Sequence, residues 1–520
     1  MAPDGLVVSL DEMETRLTRL SGFSTLFQPD GALLETGVNG ASGRGSLGQV
    51  STQLSIKERQ YQLKFGKADI DWRAGSDPVA NFGFQDVGLG FSLSGKPLSL
   101  RAPSAKARLV ADDRWRVDGS VQNAAGQIEP ALIQNLSTDF AFRGASEGVI
   151  GKIDALKFRI RDIQTPGRFA AMDFAGQLDL NDGDVTGGGT MTHPLLQQQM
   201  ARLTISHDLS TGEGDARITS TILQFSRGGL QPALIFPILR GLIANVEGPV
   251  TLTGGAQWGR GEVTTQASME LTDLSFVSEK AGLFEGVFGR VELIDLVRVK
   301  SRPGQMIAIH SWNPGLPLTD GVVTFQLDGL DEVRLEGARF PFAGGELAAD
   351  PLIWDIDAPT NDILVKAYEI DLGALMARFG LKSVTSSGKL SGEFPVKFST
   401  GRVLVDDARL VSTDGRFGYS GSLEETLDDD EETVLLLLKV LEDFHYSQLV
   451  LEISGDLAGE MAVRMLLNGH NPAVLDGYPF ALKMDMAADL MSLLNRSSLG
   501  ERAIGQIRKS LMEASRSLEE

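Results

Sequence analysis

The sequence Gly-Lys-Leu-Ser-Gly-Glu-Phe-Pro-Val-Lys-Phe, from Gly388 to Phe398, is two-sided when it is read as an extended strand. Its even-numbered positions carry Leu390, Phe394, Val396 and Phe398, whereas its odd-numbered positions are polar or proline. Successive side chains of a strand point to opposite faces of a sheet. The segment therefore predicts a strand with one apolar face and one face in water.

The same alternation recurs along much of the chain. Strands with one apolar face either pack those faces against one another in a sandwich or leave them lining an apolar groove. The pattern alone leaves both architectures open. Clear alternating sets are Val323, Phe325 and Leu327; Leu449, Leu451 and Ile453; Met461, Val463, Met465 and Leu467; and Phe480, Leu482, Met484 and Met486.

The composition favours a chain of many short antiparallel strands. The 520 residues include 59 glycines, more than a helical protein tolerates and enough for many tight turns. Hydrophobic residues make up 42% of the chain, so sizeable cores can be buried. Turn residues recur about every ten positions, which is typical of an all-β protein.

The chain is strongly acidic, with a formal net charge of -21 at pH 7. This charge argues against binding nucleic acid and against electrostatic adsorption to anionic lipid headgroups. Any lipid binding must then rest on apolar contact. The sequence contains no cysteine, which excludes disulfides and cysteine metal sites and fits cytosol and periplasm alike.

The sequence shows no targeting segment. No apolar run approaches the roughly 18 residues of a membrane span. Met1–Leu10 lacks the basic start and the apolar core of a signal peptide. We therefore expect either a cytosolic protein or one whose anchoring segment precedes Met1.

Helical segments are few. Apolar spacing, capping residues and charge placement predict them. The last one is amphipathic and is expected either to cover one end of the β structure or to contact a partner or membrane. The predicted segments are Ser9–Ser21, Leu230–Asn245, Asp371–Phe379 capped by Asp371 and ended by Gly380, Glu424–Phe444, and Leu499–Leu518.

Three segments approach known catalytic or ion-binding motifs and fail on context. Gly144–Gly148 matches a nucleophile elbow but lies between two strands, whereas that motif leads from strand into helix. Gly90–Lys96 nearly matches a phosphate-binding loop, but Pro97 occupies the position of the metal-binding hydroxyl. Asp179–Asp184 lacks the spacing of a calcium loop. All three are predicted to be turns.

The five histidines show no metal-ligand spacing and are predicted to be structural or surface residues. We therefore expect no enzyme activity, no cofactor and no metal site. The histidines are His193, His207, His310, His445 and His470.

The second half of the chain resembles the YdbH-like proteins, which belong to the AsmA-like group of Gram-negative envelope proteins. Their C-terminal region carries the older domain label "dicarboxylate transport". No single matching segment is specific to these proteins, but the whole set in this order is. The matching segments are Leu230–Trp258, Asn313–Gly321, Gly344–Leu347, Thr385–Val396, Leu441–Tyr446, Gly459, Leu466–Pro472, Gly477–Leu482 and Leu490–Leu494.

The resemblance covers roughly residues 225 to 495, and upstream of it only the β pattern matches. It suggests three regions. Residues 1–225 would form a β-rich groove segment, 226–498 a YdbH-like C-terminal groove domain, and 499–520 an amphipathic terminal helix.

The resemblance implies a mainly β fold, an elongated and curved antiparallel β-sheet that forms an open hydrophobic groove. It implies a bridge-like carrier that moves phospholipids between inner and outer membranes. The protein would lie in the periplasm of a Gram-negative bacterium, anchored in the inner membrane by a segment absent from this chain. The alternating sets named above, with Leu390, Phe394, Val396 and Phe398, would line the groove and bind acyl chains.

The resemblance also implies a small outer-membrane lipoprotein as a partner, which would extend the sheet by strand addition. We expect the exposed edge within residues 447 to 486, with Leu499–Leu518 guarding it or moving aside. Two other functions stay open at this point. One is a periplasmic chaperone or assembly factor for outer-membrane proteins that binds client strands, and the other is an enzyme using Ser146.

Overall fold

The computed structural model describes residues 6–10, 15–20, 23–27, 32–36, 42–48, 50–56, 59–73, 78–93, 96–110, 115–128, 131–145, 148–381, 383–420 and 431–489. Across these residues the protein is mostly antiparallel β with a few short helices, as the glycine-rich alternating sequence predicts. The strands form open ladders, in which most strands pair with a neighbour on each side.

The chain divides into two compact units. The first comprises Met1–Leu223, Leu230–Arg240 and Thr251–Met269, and the second comprises Gln224–Gly229, Gly241–Val250 and Glu270–Glu520. The three-region division expected from the sequence, at residues 225 and 498, stays a prediction. Its third region, 499–520, lies outside the described residues.

The first unit is built from strands that are five to seven residues long at the start of the chain, 13 to 15 residues long in its middle and shorter again towards its end. Its strands are β1 (Leu6–Leu10), β2 (Thr15–Leu20), β3 (Phe23–Phe27), β4 (Ala32–Thr36), β5 (Ser42–Leu47), β6 (Val50–Ile56), β7 (Arg59–Phe65), β8 (Lys67–Arg73), β9 (Val79–Leu93), β10 (Lys96–Val110), β11 (Arg116–Ile128), β12 (Ala131–Ala145), β13 (Gly148–Asp162), β14 (Met172–Asn181), β15 (Asp184–His193), β16 (Gln198–Asp208) and β17 (Gly214–Ser220). From β9 to β17 each strand pairs with the next.

Upstream of β9 the strands form two separate ladders. One ladder runs β1, β4, β5 and β8, and the other runs β2, β3, β6 and β7. Both end on β9, where β8 pairs along Val79–Gln85 and β7 pairs along Gly88–Gly90. In this part of the chain, two short strands that lie end to end therefore take the place of one long strand.

A row of irregular residues interrupts the long strands near their middles. Asp86 of β9, Asn123 of β11, Asn135 of β12 and Ala155 of β13 all have positive φ. The pairings of β11, β12 and β13 shift register at these points. Aspartate and asparagine adopt this backbone conformation more readily than most residues, and β-bulges bend strands. The row therefore bends several adjacent strands of the first unit.

The remaining strands follow. They are β18 (Leu223–Phe225), β19 (Ile243–Gly259), β20 (Glu262–Ser278), β21 (Gly282–Asp295), β22 (Lys300–Ser301), β23 (Gln305–Asn313), β24 (Leu318–Leu327), β25 (Glu332–Phe342), β26 (Gly345–Ala349), β27 (Leu352–Asp355), β28 (Thr360–Asp371), β29 (Val384–Ser387), β30 (Lys389–Ser399), β31 (Arg402–Ser412), β32 (Gly415–Tyr419), β33 (Phe444–Asp456), β34 (Glu460–His470) and β35 (Phe480–Asp489).

In the second unit the main ladder runs β21, β23, β24, β25, β26, β28, β30, β31, β33, β34 and β35. The two-sided pattern predicted for Gly388–Phe398 is present in β30. Leu390, Val396 and Phe398 are buried, and Lys389 and Lys397 are exposed. The parity of the sequence therefore sets which face of the strand is covered.

The helices are short. Helix α1 (Pro232–Ile235) and a 3₁₀ turn at Pro237–Leu239 lie inside the predicted Leu230–Asn245 segment, but its end belongs to β19. Helix α2 (Leu372–Arg378) confirms the predicted Asp371–Phe379 helix. Helix α3 (Glu431–Glu442) lies within the predicted Glu424–Phe444 helix, whose last residue, Phe444, instead begins β33. No helix among the described residues is both long and apolar enough to cross a membrane.

Two helix predictions have other outcomes. The prediction for Ser9–Ser21 is wrong, because Thr15–Leu20 is a strand that pairs with Phe23–Phe27. Leu17 and Leu20 fit a helical stripe, but pairing with a neighbouring strand supplies the backbone hydrogen bonds and overrides that local pattern. The predicted terminal helix Leu499–Leu518 lies outside the described residues.

Candidate functional site

An apolar cavity of about 240 Å³ lies within the second unit. Every residue that lines it has an apolar side chain. The lining residues are Trp312, Pro314, Leu316, Leu318, Phe342, Leu347, Val365, Ile370, Leu375, Met376, Phe379, Leu381, Val384, Phe394, Val396, Phe398, Val405, Leu410, Phe417, Leu451, Ile453, Leu457, Met461, Val463 and Met465.

The strands supply most of this lining through the register of their pairing. Val365 of β28 lies opposite Phe394 of β30, so two lining residues meet at the same level of the sheet. Ile453 of β33 lies opposite Val463 of β34 in the same way. Because directly opposite residues share a face of the sheet, one apolar parity repeated on neighbouring strands gives a continuous apolar surface.

Helix α2 forms a further part of the wall through Leu375 and Met376. Asp371 caps the helix, since its Oδ1 accepts a 2.8 Å hydrogen bond from the Ala374 amide. That hydrogen bond, followed by the one from Lys389, lowers the pKa of the Asp371 carboxyl. The cap holds a short helix against the sheet although its seven residues are too few for independent stability.

Aromatic rings pack beside the cavity around Trp312. Its ring centre lies 5.3 Å from that of Phe340, 5.7 Å from that of Phe284 and 6.2 Å from that of Phe398. Its Nε1 donates a 2.7 Å hydrogen bond to the carbonyl oxygen of Ala281. The one polar atom of the indole is therefore satisfied by protein, and the ring can face the cavity without an unpaired donor.

Many lining side chains are only partly covered by protein. Phe394, Ile453 and Val463 are half-buried, whereas Val396, Val405 and Met461 are buried. Half-buried apolar side chains around an apolar space leave room for an apolar guest. A sandwich core packed to the density of protein interiors would cover them. In the second unit the side chains that the structure describes thus do not fully cover this face of the sheet.

The structure brings together only part of the set predicted from the alternation. Phe394, Val396, Phe398, Leu451, Ile453, Met461, Val463 and Met465 line the cavity. The others do not: Leu390, Leu449, Leu467, Leu482 and Met484 are buried in protein, Val323, Phe325, Leu327 and Phe480 are half-buried elsewhere, and the side chain of Met486 lies outside the described part. The assignment of all these residues to lipid binding stays a prediction.

The alternation did not identify several lining residues. Pro314 and Leu316 lie in the connection between β23 and β24, and Leu375, Met376 and Phe379 come from α2 and its end. A connection has no period, and helical residues follow a period of 3.6 instead of two. The apolar helix face was visible in the sequence, but its place against the sheet was not.

The three segments that approach catalytic motifs all lie where consecutive antiparallel strands pair with each other. Ala145 of β12 pairs with Gly148 of β13, and Lys96 of β10 pairs with Leu93 of β9. Asn181 pairs with Asp184 at the β14–β15 turn. Ser146 itself lies outside the described residues. Within the described ranges, no group of histidine, aspartate and glutamate residues is arranged to hold a metal ion.

Strand β35 is the last described strand of the ladder. It pairs with β34 from Gly469↔Phe480 to Glu460↔Asp489, and with no other strand in the described part of the chain. An unpaired strand edge exposes backbone donors and acceptors that another strand can join. The predicted edge, within residues 447 to 486, includes the first seven residues of β35.

A profile of the YdbH-like family, described as "Intermembrane phospholipid transport protein YdbH", matches residues 3–511 of the chain. The match includes the first unit, where the sequence alone offered only a β pattern. Comparisons with curated proteins and with solved structures found no match. Nearly the whole chain is covered by the profile, and its alternating antiparallel strands suit a lipid transport protein. The chain belongs to the YdbH-like family of intermembrane phospholipid transport proteins.

Proposed function

We propose that the protein carries phospholipids between the inner and outer membranes along an apolar groove, and that the cavity in the second unit is one segment of that groove. The observation that carries the proposal is the wholly apolar lining of this cavity, formed mostly by one parity of adjacent strands. Membership of the family supports phospholipid as the cargo.

The cavity has a suitable size for part of an acyl chain. Apolar cavities of roughly 150 Å³ stay dry and bind small hydrocarbons such as benzene, and this cavity has about 240 Å³. Each methylene removed from water contributes about 0.8 kcal/mol. Such contacts are not directional, so a chain that leaves one set of side chains for an equivalent set loses little free energy.

The mode of action we propose is passive. Acyl chains would lie against the apolar face while headgroups stay in water, and no bond would be made or broken. The site of action would be the periplasm, between the two membranes. The net charge of -21 is unsuited to long-range electrostatic attraction of anionic lipid, so apolar contact supplies most of the driving force.

A direct experiment changes the cavity without changing the sheet. Phe394 and Val463 are half-buried lining residues, and replacing both by aspartate places two charges inside an apolar space. We expect purified Phe394→Asp/Val463→Asp protein to yield much less phospholipid than the parent when both are extracted with organic solvent. Leu364 and Ala462, their exposed neighbours on the opposite parity, give the control pair Leu364→Asp/Ala462→Asp.

The proposal fails if the cavity variant folds and carries as much phospholipid as the parent. It also fails if neither the parent nor the cavity variant carries phospholipid. In that case the open edge of β35 favours the second candidate, a chaperone or assembly factor that binds client strands by strand addition. Binding of an unfolded outer-membrane barrel protein by lipid-free protein would support that alternative.

We also propose that β35 is where a small outer-membrane lipoprotein joins the sheet. The support is its single described pairing, because strand addition needs a row of unpaired backbone groups.

A further inference from the structure

Arg378, the last residue of α2, lies at the rim of the apolar cavity. Its guanidinium carbon is 5.0 Å from the centre of the Phe342 ring, and its Nη2 donates a 2.7 Å hydrogen bond to the carbonyl oxygen of Pro317. Phe342 lines the cavity, as do Leu316 and Leu318 on either side of Pro317. Two contacts thus fix the guanidinium group beside the cavity.

Among the residues that the structure describes, no acid neutralises the charge of Arg378. No carboxylate in the described residues forms an ion pair with it, although the chain carries 69 aspartates and glutamates. Other arginines of the same unit are paired, such as Arg402 with Asp456 at 2.9 Å and Arg464 with Asp485 at 2.8 Å. Arg378 is therefore an exposed cation beside an apolar space, in a protein with an excess of acids.

In the contacts just described, the N–H donors of Arg378 have one protein acceptor, the carbonyl oxygen of Pro317. A guanidinium group has five N–H donors in a planar fork, and Pro317 uses one of them. Stacking on the Phe342 face leaves the edge of the group free to donate in the ring plane. A planar fork with free donors matches the oxygens of a phosphate group, which it can bind with two parallel hydrogen bonds.

We propose that Arg378 binds the phosphate of a phospholipid whose acyl chain lies in the cavity. This inference rests on the proposed function and adds a residue that recognises the headgroup. The geometry fits an amphipathic ligand, because apolar wall and cation lie side by side. The chemistry selects for a phosphate next to an acyl chain and against a neutral lipid of the same chain length.

The test compares phosphatidylglycerol with diacylglycerol of identical acyl chains, each supplied to lipid-free protein. The proteins are the parent, Arg378→Gln, Arg378→Lys and the control Arg409→Gln. Arg409 is an exposed residue of β31 that precedes the lining residue Leu410 and so lies on the other parity. Arg378 is itself exposed, so neither substitution removes buried contacts on which folding depends.

We expect the parent and Arg409→Gln to prefer phosphatidylglycerol by about tenfold, the effect of one charge-assisted phosphate contact. Arg378→Gln loses this preference but still binds diacylglycerol as the parent does. Arg378→Lys retains part of it, because a lysine keeps the charge but not the fork.

Three results overturn the inference. If Arg378→Gln prefers phosphatidylglycerol as strongly as the parent, the headgroup is not bound at Arg378, while the proposed function stands. If the parent binds neither lipid, the proposed function fails as well. If the parent binds inorganic phosphate through Arg378 but shows no preference between the two lipids, the residue is a site for free phosphate and not for a headgroup.

Discussion

The hydroxyl of Tyr446 donates a 2.7 Å hydrogen bond to the carbonyl oxygen of Ser387, which lies 59 residues earlier in the chain. Tyr446 belongs to β33 and Ser387 ends β29, so the bond joins two strands that are not paired with each other. A side chain added at Gly388 would place its Cβ 2.0 Å from the Tyr446 hydroxyl oxygen. Glycine at this position is therefore required by the close approach of the tyrosine.

Replacing Tyr446 by phenylalanine should lower the free energy of unfolding by about 1 kcal/mol, because the hydrogen bond from the Tyr446 hydroxyl to the Ser387 carbonyl is lost. Chemical denaturation monitored by circular dichroism measures this change. Tyr478→Phe is the matched control, since Tyr478 is 62% exposed and its hydroxyl can bond to water. Equal stability of the parent and Tyr446→Phe would show that the bond contributes nothing.

The same residue gives a pH dependence. Burial raises the pKa of the Tyr446 hydroxyl from 10.0, and the charge of Asp414 adds to this, although the hydrogen bond with Ser412 lowers it. Above pH 10 the unfolded chain releases this proton while the folded protein keeps it, so stability falls as the pH rises. We expect Tyr446→Phe to show a shallower loss of stability above pH 10 than the parent. Identical slopes would contradict the assignment.

Asp162 and Arg168 form a covered ion pair in the first unit. Arg168 Nε donates a 2.9 Å hydrogen bond to Asp162 Oδ2, and the amide of Gln164 donates another of 2.9 Å to Oδ1. Burial opposes ionisation, but these hydrogen bonds outweigh it and lower the pKa of the carboxyl. The stability that this pair contributes is thus present above pH 3.8 and is lost as the pH falls further.

Asp162→Asn should destabilise the protein at pH 7 by about 3 kcal/mol, because it leaves a covered guanidinium group without its counter-charge. The control is Asp154→Asn, whose half-exposed pair with Lys152 should be worth less than about 1 kcal/mol. Thermal unfolding of the three proteins at pH 7 provides the comparison. A loss no larger for Asp162→Asn than for Asp154→Asn would argue against a structural role for the pair.

Asp371→Ala tests the helix that walls the cavity. Loss of the cap on α2 should destabilise the protein by about 1 kcal/mol. Because Leu375 and Met376 line the cavity, we also expect less phospholipid to remain bound after purification. Asp362→Ala, an exposed aspartate of β28, should leave both properties unchanged. Unaltered lipid content in Asp371→Ala would mean that α2 does not help to retain lipid.

The edge of β35 can be tested by cross-linking. A photoreactive side chain placed at Lys483, on the edge strand, should cross-link to a small lipoprotein in cell envelopes. The same group at Lys397, on β30 between two paired strands, should not. Equal cross-linking at both positions would indicate contact with the face of the sheet instead of its edge.

The alternation of apolar and polar residues predicts which face of a strand is buried, because each side chain is covered or exposed according to its own position along the strand. Leu390, Val396 and Phe398 are covered by protein, and the charged residues between them are exposed, as the parity requires. The cap at Asp371 was also readable, since capping is a local interaction. These features depend on residues close together in the sequence.

Other features could not be read in this way. The bulges at Asn123 and Asn135 shift the register of strand pairing, and the alternation of apolar and polar residues does not predict them. Leu449 and Leu467 have the same apolar parity as Ile453 and Val463, but only the latter two line the cavity. Whether an apolar side chain meets protein or open space depends on elements far away in sequence, such as α2.

The most direct test uses a phospholipid with a photoreactive diazirine near the end of one acyl chain. After irradiation of the purified complex, mass spectrometry of peptides locates the adducts. We predict adducts on the cavity-lining residues Phe394, Met461 and Met465, and their loss in Phe394→Asp/Val463→Asp. Adducts confined to the opposite face, at residues such as Leu364 and Ala462, would contradict binding of acyl chains in the cavity.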